Sequence, residues 1–147
     1  MRYCSLDDLQ LAMPAQTLIW LSNDDPLAKS INEAVVDEAV RQAEELVDAY
    51  LRGRYLLPLA TVPTVVKDIT VYLARHWLYV RRPEGRELPE AVTRTYANAL
   101  QMLSTIRDGL LSVGLADGNS QPEPGEMKVC ASAKQFGSSV MERYGWL

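Results

Sequence analysis

At 147 residues the chain allows one domain and little else, since domains of about 100–200 residues are the rule. Hydrophobic residues make up 48% and charged residues 23%, which excludes disorder for most of the chain and permits one real core. The net charge of −4 argues against a dedicated nucleic-acid binder. That charge is uneven: residues 1–50 hold ten acids and three bases, whereas residues 51–111 hold nine bases and five acids. Such halves imply either internal complementarity or unlike faces in a head-to-tail assembly.

In chain order, Ser5-Leu6-Asp7-Asp8 reads as a capping box opening a short helix that ends near Pro14. A second short helix spans Ala15 to Leu21, and Ser22-Asn23-Asp24-Asp25-Pro26 is a polar turn cluster. Ser30 with Glu33 forms another capping box, opening a long helix over 31–52. Its stripe is Ile31, Val35, Ala39, Gln42 or Ala43, Leu46 and Tyr50; Glu33, Asp37, Glu38, Arg41, Glu44, Glu45 and Asp48 face water. Gly53 ends it, in a left-handed or other helix-stop conformation. After the proline-limited connector Arg54–Pro63 comes a helix over 64–81 with Val65, Val66, Ile69, Tyr72, Leu73, His76, Trp77 and Val80 on one face. Pro83-Glu84-Gly85 closes it. A third long helix, 89–111, carries Val92, Tyr96, Leu100, Leu103, Ile106 and Leu110, and Gly114 ends the segment. The predicted fold is all-α: a small bundle of three long helices with one or two short N-terminal ones.

Residues 1–114 thus read as a helical domain, 115–126 as a linker rich in Pro and Gly, and 127–147 as a C-terminal arm. The arm carries Phe136, Val140, Met141, Tyr144, Trp146 and Leu147, which need burial against the chain's own core or a neighbour. They are the candidate assembly residues.

Motifs for chemistry are sparse. His76 is the single histidine, and Cys4 and Cys130 lie too far apart to form a zinc or redox motif. Asp24-Asp25 suit a turn, and Asp7-Asp8 suit a first helical turn. No phosphate loop, nucleophile–base pair or metal cluster can be assembled, so the expectation is a non-enzymatic protein with no catalytic residue, cofactor, metal or small-molecule substrate. No apolar run approaches the ~20 residues of a membrane span. Arg75, Arg81, Arg82 and Arg86 form the densest basic cluster. They could contact phosphates, or they could snorkel at a helix end.

The most distinctive string is DAYLRGRYLLPLATVP, residues 48–63. Together with Tyr3-Cys4-Ser5-Leu6-Asp7-Asp8-Leu9, Asp68-Ile69 through Ala74-Arg75, Tyr96, Ala99, Leu103 to Gly109 and the Phe136–Trp146 tail, it resembles a family of Mu-like phage and prophage proteins encoded among virion morphogenesis genes. By analogy that family is similar to the small helical head–tail connector or head-completion proteins of tailed phages. The resemblance implies a virion protein made in the bacterial host cytoplasm. It implies self-assembly in a ring-type homo-oligomer, with portal or tail-completion proteins as neighbours and no active site. The alternative reading is a small DNA-binding or regulatory module acting through the arginine cluster.

Overall fold

The structure is a computed structural model that describes residues 1–82 and 87–115. Helices α1 (Leu6–Ala12), α2 (Ala15–Ser22), α3 (Glu33–Leu51), α4 (Thr64–Arg81) and α5 (Glu90–Arg107) are its elements, and no strand occurs among the described residues. The fold is all-α, with three long helices and two short N-terminal ones, as the spacing of apolar residues predicts. The linker 115–126 beyond Leu115 and the whole arm 127–147 lie outside the described residues, as do Pro83-Glu84-Gly85 and Arg86.

The helix starts show local chemistry at work. The Ser5 hydroxyl accepts the Asp8 N–H at 3.2 Å while the Asp8 carboxylate accepts the Ser5 N–H at 2.9 Å, so the first capping box forms. The predicted Ser30–Glu33 box does not. Helix α3 starts at Glu33 with Asn32 as its cap residue and no side-chain cap bond. Tertiary contacts take over the entry instead: the Ser22 hydroxyl accepts the Asn32 N–H at 3.1 Å, and Asn23 Nδ2 donates to the Ser30 carbonyl at 2.7 Å. The end of α2 therefore fixes the start of α3.

Helix α3 stops at the corner as expected, ending at Leu51, but of the two conformations expected at Gly53 the left-handed one does not form: Gly53 has no positive φ, and the Leu51 carbonyl accepts N–H bonds from both Arg54 and Tyr55 at 3.0 Å. Arg54 and Tyr55 draw the chain off the helix, since the Tyr55 ring is buried and Arg54 Nη1 donates to the Ile106 carbonyl at 2.6 Å. Helix α5 stops at Arg107, four residues before the predicted 111. Gly109 sits at φ +83°, its N–H reaching Ile106 O at 3.2 Å while Leu110 N–H reaches Thr105 O at 3.0 Å. This is the paired-bond arrangement that satisfies a helix's last carbonyls, and it favours glycine at the left-handed position. It leaves Leu110, placed on the core stripe by periodicity, 81% exposed.

The three long helices pack against one another. Contacts at both ends establish the directions. Arg54 joins the C-terminal ends of α3 and α5. At the other end, Arg81 Nη1 donates to the Leu21 carbonyl beside the start of α3, and Arg75 on α4 donates to Thr95 early in α5. So α3 and α5 run parallel, with α4 antiparallel to both.

The core contains Ala39, Ile69, Leu73, Leu103 and Ile106, as the sequence implies. Val35, Leu46, Tyr50, Trp77, Tyr96 and Leu100 pack only half-buried at its margin, and Val65 and Val80 are exposed. On α3 the fully buried line is Val36, Ala39, Val40, Ala43, Val47 and Leu51. The stripe keeps Ala39 and Ala43 but takes Val36, Val47 and Leu51 in place of Val35, Leu46 and Tyr50, each one position on, or about 100° of helix rotation. That rotation carries Glu44 and Asp48 inward, against the expectation that both face water.

Candidate functional site

The arginine cluster at the end of α4 is tied into the fold. Arg81 Nη2 pairs with Asp24 Oδ1 at 2.7 Å, and Arg82 Nη1 donates to the carbonyls of Trp20 and Asn23 at 2.6 and 2.9 Å. The Arg82 guanidinium also lies 5.2 Å from the centre of the Trp20 ring, a cation–π contact. Arg75 Nη2 donates to Thr95 Oγ1 at 2.7 Å, and its guanidinium packs over the Tyr72 ring. Three of the four candidate basic residues thus close α2 and α5 onto α4, which satisfies the exposed carbonyls at the end of α2. Arg86 lies outside the described residues.

His76 stacks on Tyr96, with ring centroids 3.7 Å apart and planes 12° from parallel. Its partial burial holds the imidazole below its usual titration range. Asp24 serves Arg81, and Asp25 accepts the Leu27 N–H at 2.8 Å, the turn role expected of that pair. Among the described residues no group of three His, Cys, Asp or Glu side chains is placed to hold a metal ion, and no helix is long and apolar enough to cross a membrane.

The buried polar site of the bundle has no counterpart in the sequence expectation. Glu44 accepts the backbone N–H groups of Arg2 and Tyr3 on Oε1, and Arg2 Nε lies 3.3 Å from its Oε2. Asp48 accepts the Tyr3 hydroxyl and pairs with Arg2 Nη1 at 2.9 Å. Burial, with the bond to Asp48, pushes the Tyr3 phenol up to about 12, and burial pushes the neighbouring Cys4 thiol up to about 12 as well. A thiol so held is a structural one rather than a nucleophile. The four-residue separation of Glu44 and Asp48 is the available signal: two acids on one helix face, in phase with Val40, Val47 and Leu51.

Among the described residues, acidic and basic halves of the sequence meet within one molecule. Lys67 pairs with Asp8 at 3.1 Å, and Arg81 with Asp24. Bonds from the Ser5 N–H and hydroxyl, then Lys67, lower the Asp8 carboxyl below its ordinary range. The remaining acids of α3 stay on its outer face.

Large apolar side chains stand exposed at both ends of the bundle. Trp20 and Leu27, 41% and 81% exposed, lie where α4 ends; Leu56 and Leu110, 79% and 81% exposed, lie at the opposite corner. The candidate assembly residues Phe136, Val140, Met141, Tyr144, Trp146 and Leu147 lie outside the described residues.

Comparison with known proteins agrees with the resemblance read from the corner string. Residues 3–131 match the family described as Bacteriophage Mu, Gp36. The Mu-like prophage FluMu protein gp36 of Haemophilus influenzae is 34% identical over 108 residues, covering 74% of this chain and 70% of that protein. Gene product J of Escherichia phage Mu is 27% identical over 126 residues, 86% of each chain. Matched over most of its length, this chain belongs to the bacteriophage Mu Gp36 family.

Proposed function

We propose that the protein is a non-enzymatic virion morphogenesis protein, a head–tail connector or head-completion subunit that works through contacts between subunits. Exposed large apolar side chains at opposite ends of a well-packed bundle, Trp20 and Leu27 at one and Leu56 and Leu110 at the other, are the observation that carries it. Side chains this exposed gain about 25 cal/mol per Å² of apolar area when a neighbouring subunit covers them. Membership of a phage Mu family supports the virion setting. The partners in this reading are further copies of the chain in a ring and the adjoining portal or tail-completion proteins. The arm residues 136–147 supply additional contact area, and no cofactor or small molecule takes part. Binding DNA through Arg75, Arg81 and Arg82 has less support, because each guanidinium is engaged inside the fold.

Deleting the gene from an inducible Mu-like prophage tests the role. Lysates are expected to contain filled heads and free tails that fail to join, and the wild-type protein is expected in purified particles. Normal tailed particles without the gene would overturn the proposal.

A further inference from the structure

Helices α3 and α5 are matched in length, about 27–29 Å at 1.5 Å per residue, and run parallel with their C-terminal ends level at the Arg54–Ile106 bond. Because α3, α4 and α5 all pack on one another, their outer faces point in different directions around the bundle. The outer faces of α3 and α5 are unlike: one is acidic and the other carries little charge. On α3, Glu33, Asp37, Glu38 and Glu45 stand against the single guanidinium of Arg41, which pairs with Glu38 and Glu45 at 2.6 Å. That face repels a copy of itself.

The outer face of α5 is almost free of charge. Arg94, Asn98, Gln101 and Met102 recur at helical spacing, all exposed, and Arg94 is the charged member over those turns. Loss of charge from an exposed helix face, with a methionine in it, is the composition of a protein–protein contact rather than of a solvated surface.

Position along the helices completes the match. Arg94 is the fifth residue of α5 and Asp37 the fifth of α3, and the two helices share direction and end point. Rotating one copy about an axis parallel to the bundle therefore brings Arg94 of one copy to the level of Asp37 on the next. We propose that the outer face of α5 docks on the outer face of α3 of a second copy of this chain, with Arg94 set against Asp37. The contact is heterologous, joining unlike faces, so repeating it closes a ring or continues as a filament. The inference rests on the proposed structural role only in taking another copy as the partner.

Sedimentation velocity of the full chain, from micromolar to hundreds of micromolar, reads the contact directly. Wild type is expected to self-associate. Arg94→Asp and Asp37→Arg should each weaken association by about tenfold or more, since each sets like charges together. The double variant, with the pair exchanged, should recover it. Circular dichroism on the same samples checks that the folds are unchanged, and Met102→Ala, expected to weaken association through lost apolar contact, supplies a disruption that does not depend on charge. A wild-type chain that stays monomeric overturns the contact, and so does an Asp37→Arg variant that associates like wild type. Either result leaves the prophage deletion experiment to judge the virion role separately. Normal particles in that experiment would remove the role while the charge exchange still decides the contact.

Discussion

The Tyr3 hydroxyl donates to Asp48, 45 residues further along the chain, and both side chains are buried against α3. One helical turn earlier, Glu44 gathers the N–H groups of Arg2 and Tyr3. Two carboxylates four residues apart thus fasten an irregular N-terminal segment, which has no ladder of its own, to the longest helix. The segment supplies the donors that these buried acids need, and the acids satisfy backbone groups that would otherwise lack partners.

Glu44→Ala should therefore cost about 2–3 kcal/mol, because two main-chain donors lose an acceptor where water enters poorly. Glu44→Gln keeps a carbonyl oxygen at the same position and should cost less. Urea unfolding followed by circular dichroism checks both. A Glu44→Ala protein within about 0.5 kcal/mol of wild type would show that the segment is held by packing alone.

Leu73 and Leu46 separate core from margin. Leu73 is 3% exposed in the middle of α4, and Leu73→Ala should cost about 2–5 kcal/mol. Leu46 packs half-buried at the edge, so the same change there should cost nearer to about 1 kcal/mol, scaling with the smaller apolar area involved. Equal losses at the two positions in thermal unfolding would contradict the one-residue rotation of α3.

That rotation marks where the sequence stops being legible. Helix number, order and approximate bounds follow from apolar spacing, but the buried face is misplaced on α4 as well as on α3: Thr70, Val71, Ala74 and Leu78 are buried there, whereas Val65 and Val80 of the expected face are exposed. On α3, Val35-Val36, Ala39-Val40 and Leu46-Val47 are adjacent apolar pairs, so two stripes one position apart fit the pattern almost equally. The choice between them is made by Tyr3 and Arg2, whose donors reward burial of Glu44 and Asp48. It is a contact across more than 40 residues, which periodicity does not register. The arginine cluster shows the same limit: Arg81 and Arg82 look like an open patch in sequence, yet bond the carbonyl end of α2 in space. The corner string, by contrast, is readable as a family mark, although the conformation of its helix stop is not.

Two glycines test the stops of α5 and α3. Gly109 holds φ +83°, where a side chain is strained whatever the available space, so Gly109→Ala should cost about 1–2 kcal/mol. Gly53 has an ordinary φ, and an added Cβ there meets nothing within 4 Å. Gly53→Ala should be neutral or slightly stabilising, by up to about 1 kcal/mol, through a less flexible unfolded chain. The larger loss at Gly53, which reading it as a left-handed stop implies, would require the corner to adopt a different backbone. Thermal melts of the two variants side by side decide between these outcomes.

The Tyr3–Asp48 bond also sets a pH dependence. The phenol titrates near 10 when the chain is unfolded and is pushed up to about 12 in the fold, chiefly by burial and then by the bond to Asp48. Between those values the folded chain keeps a proton that the unfolded chain releases. Its contribution is complete below about pH 10 and disappears as pH rises through about 12. Tyr3→Phe lacks the hydroxyl and should be about 1–3 kcal/mol less stable than wild type near neutrality. The difference should shrink steadily above about pH 10, because wild type alone must give up that proton. Cys4 titrates upward in the same direction but is common to both proteins, so it cancels in the comparison. Urea midpoints measured for the pair at half-unit steps from about pH 8 to about 11.5 check this. A gap that stays constant across the range would mean that the Tyr3 hydroxyl titrates alike in both states, and that Asp48 does not hold it.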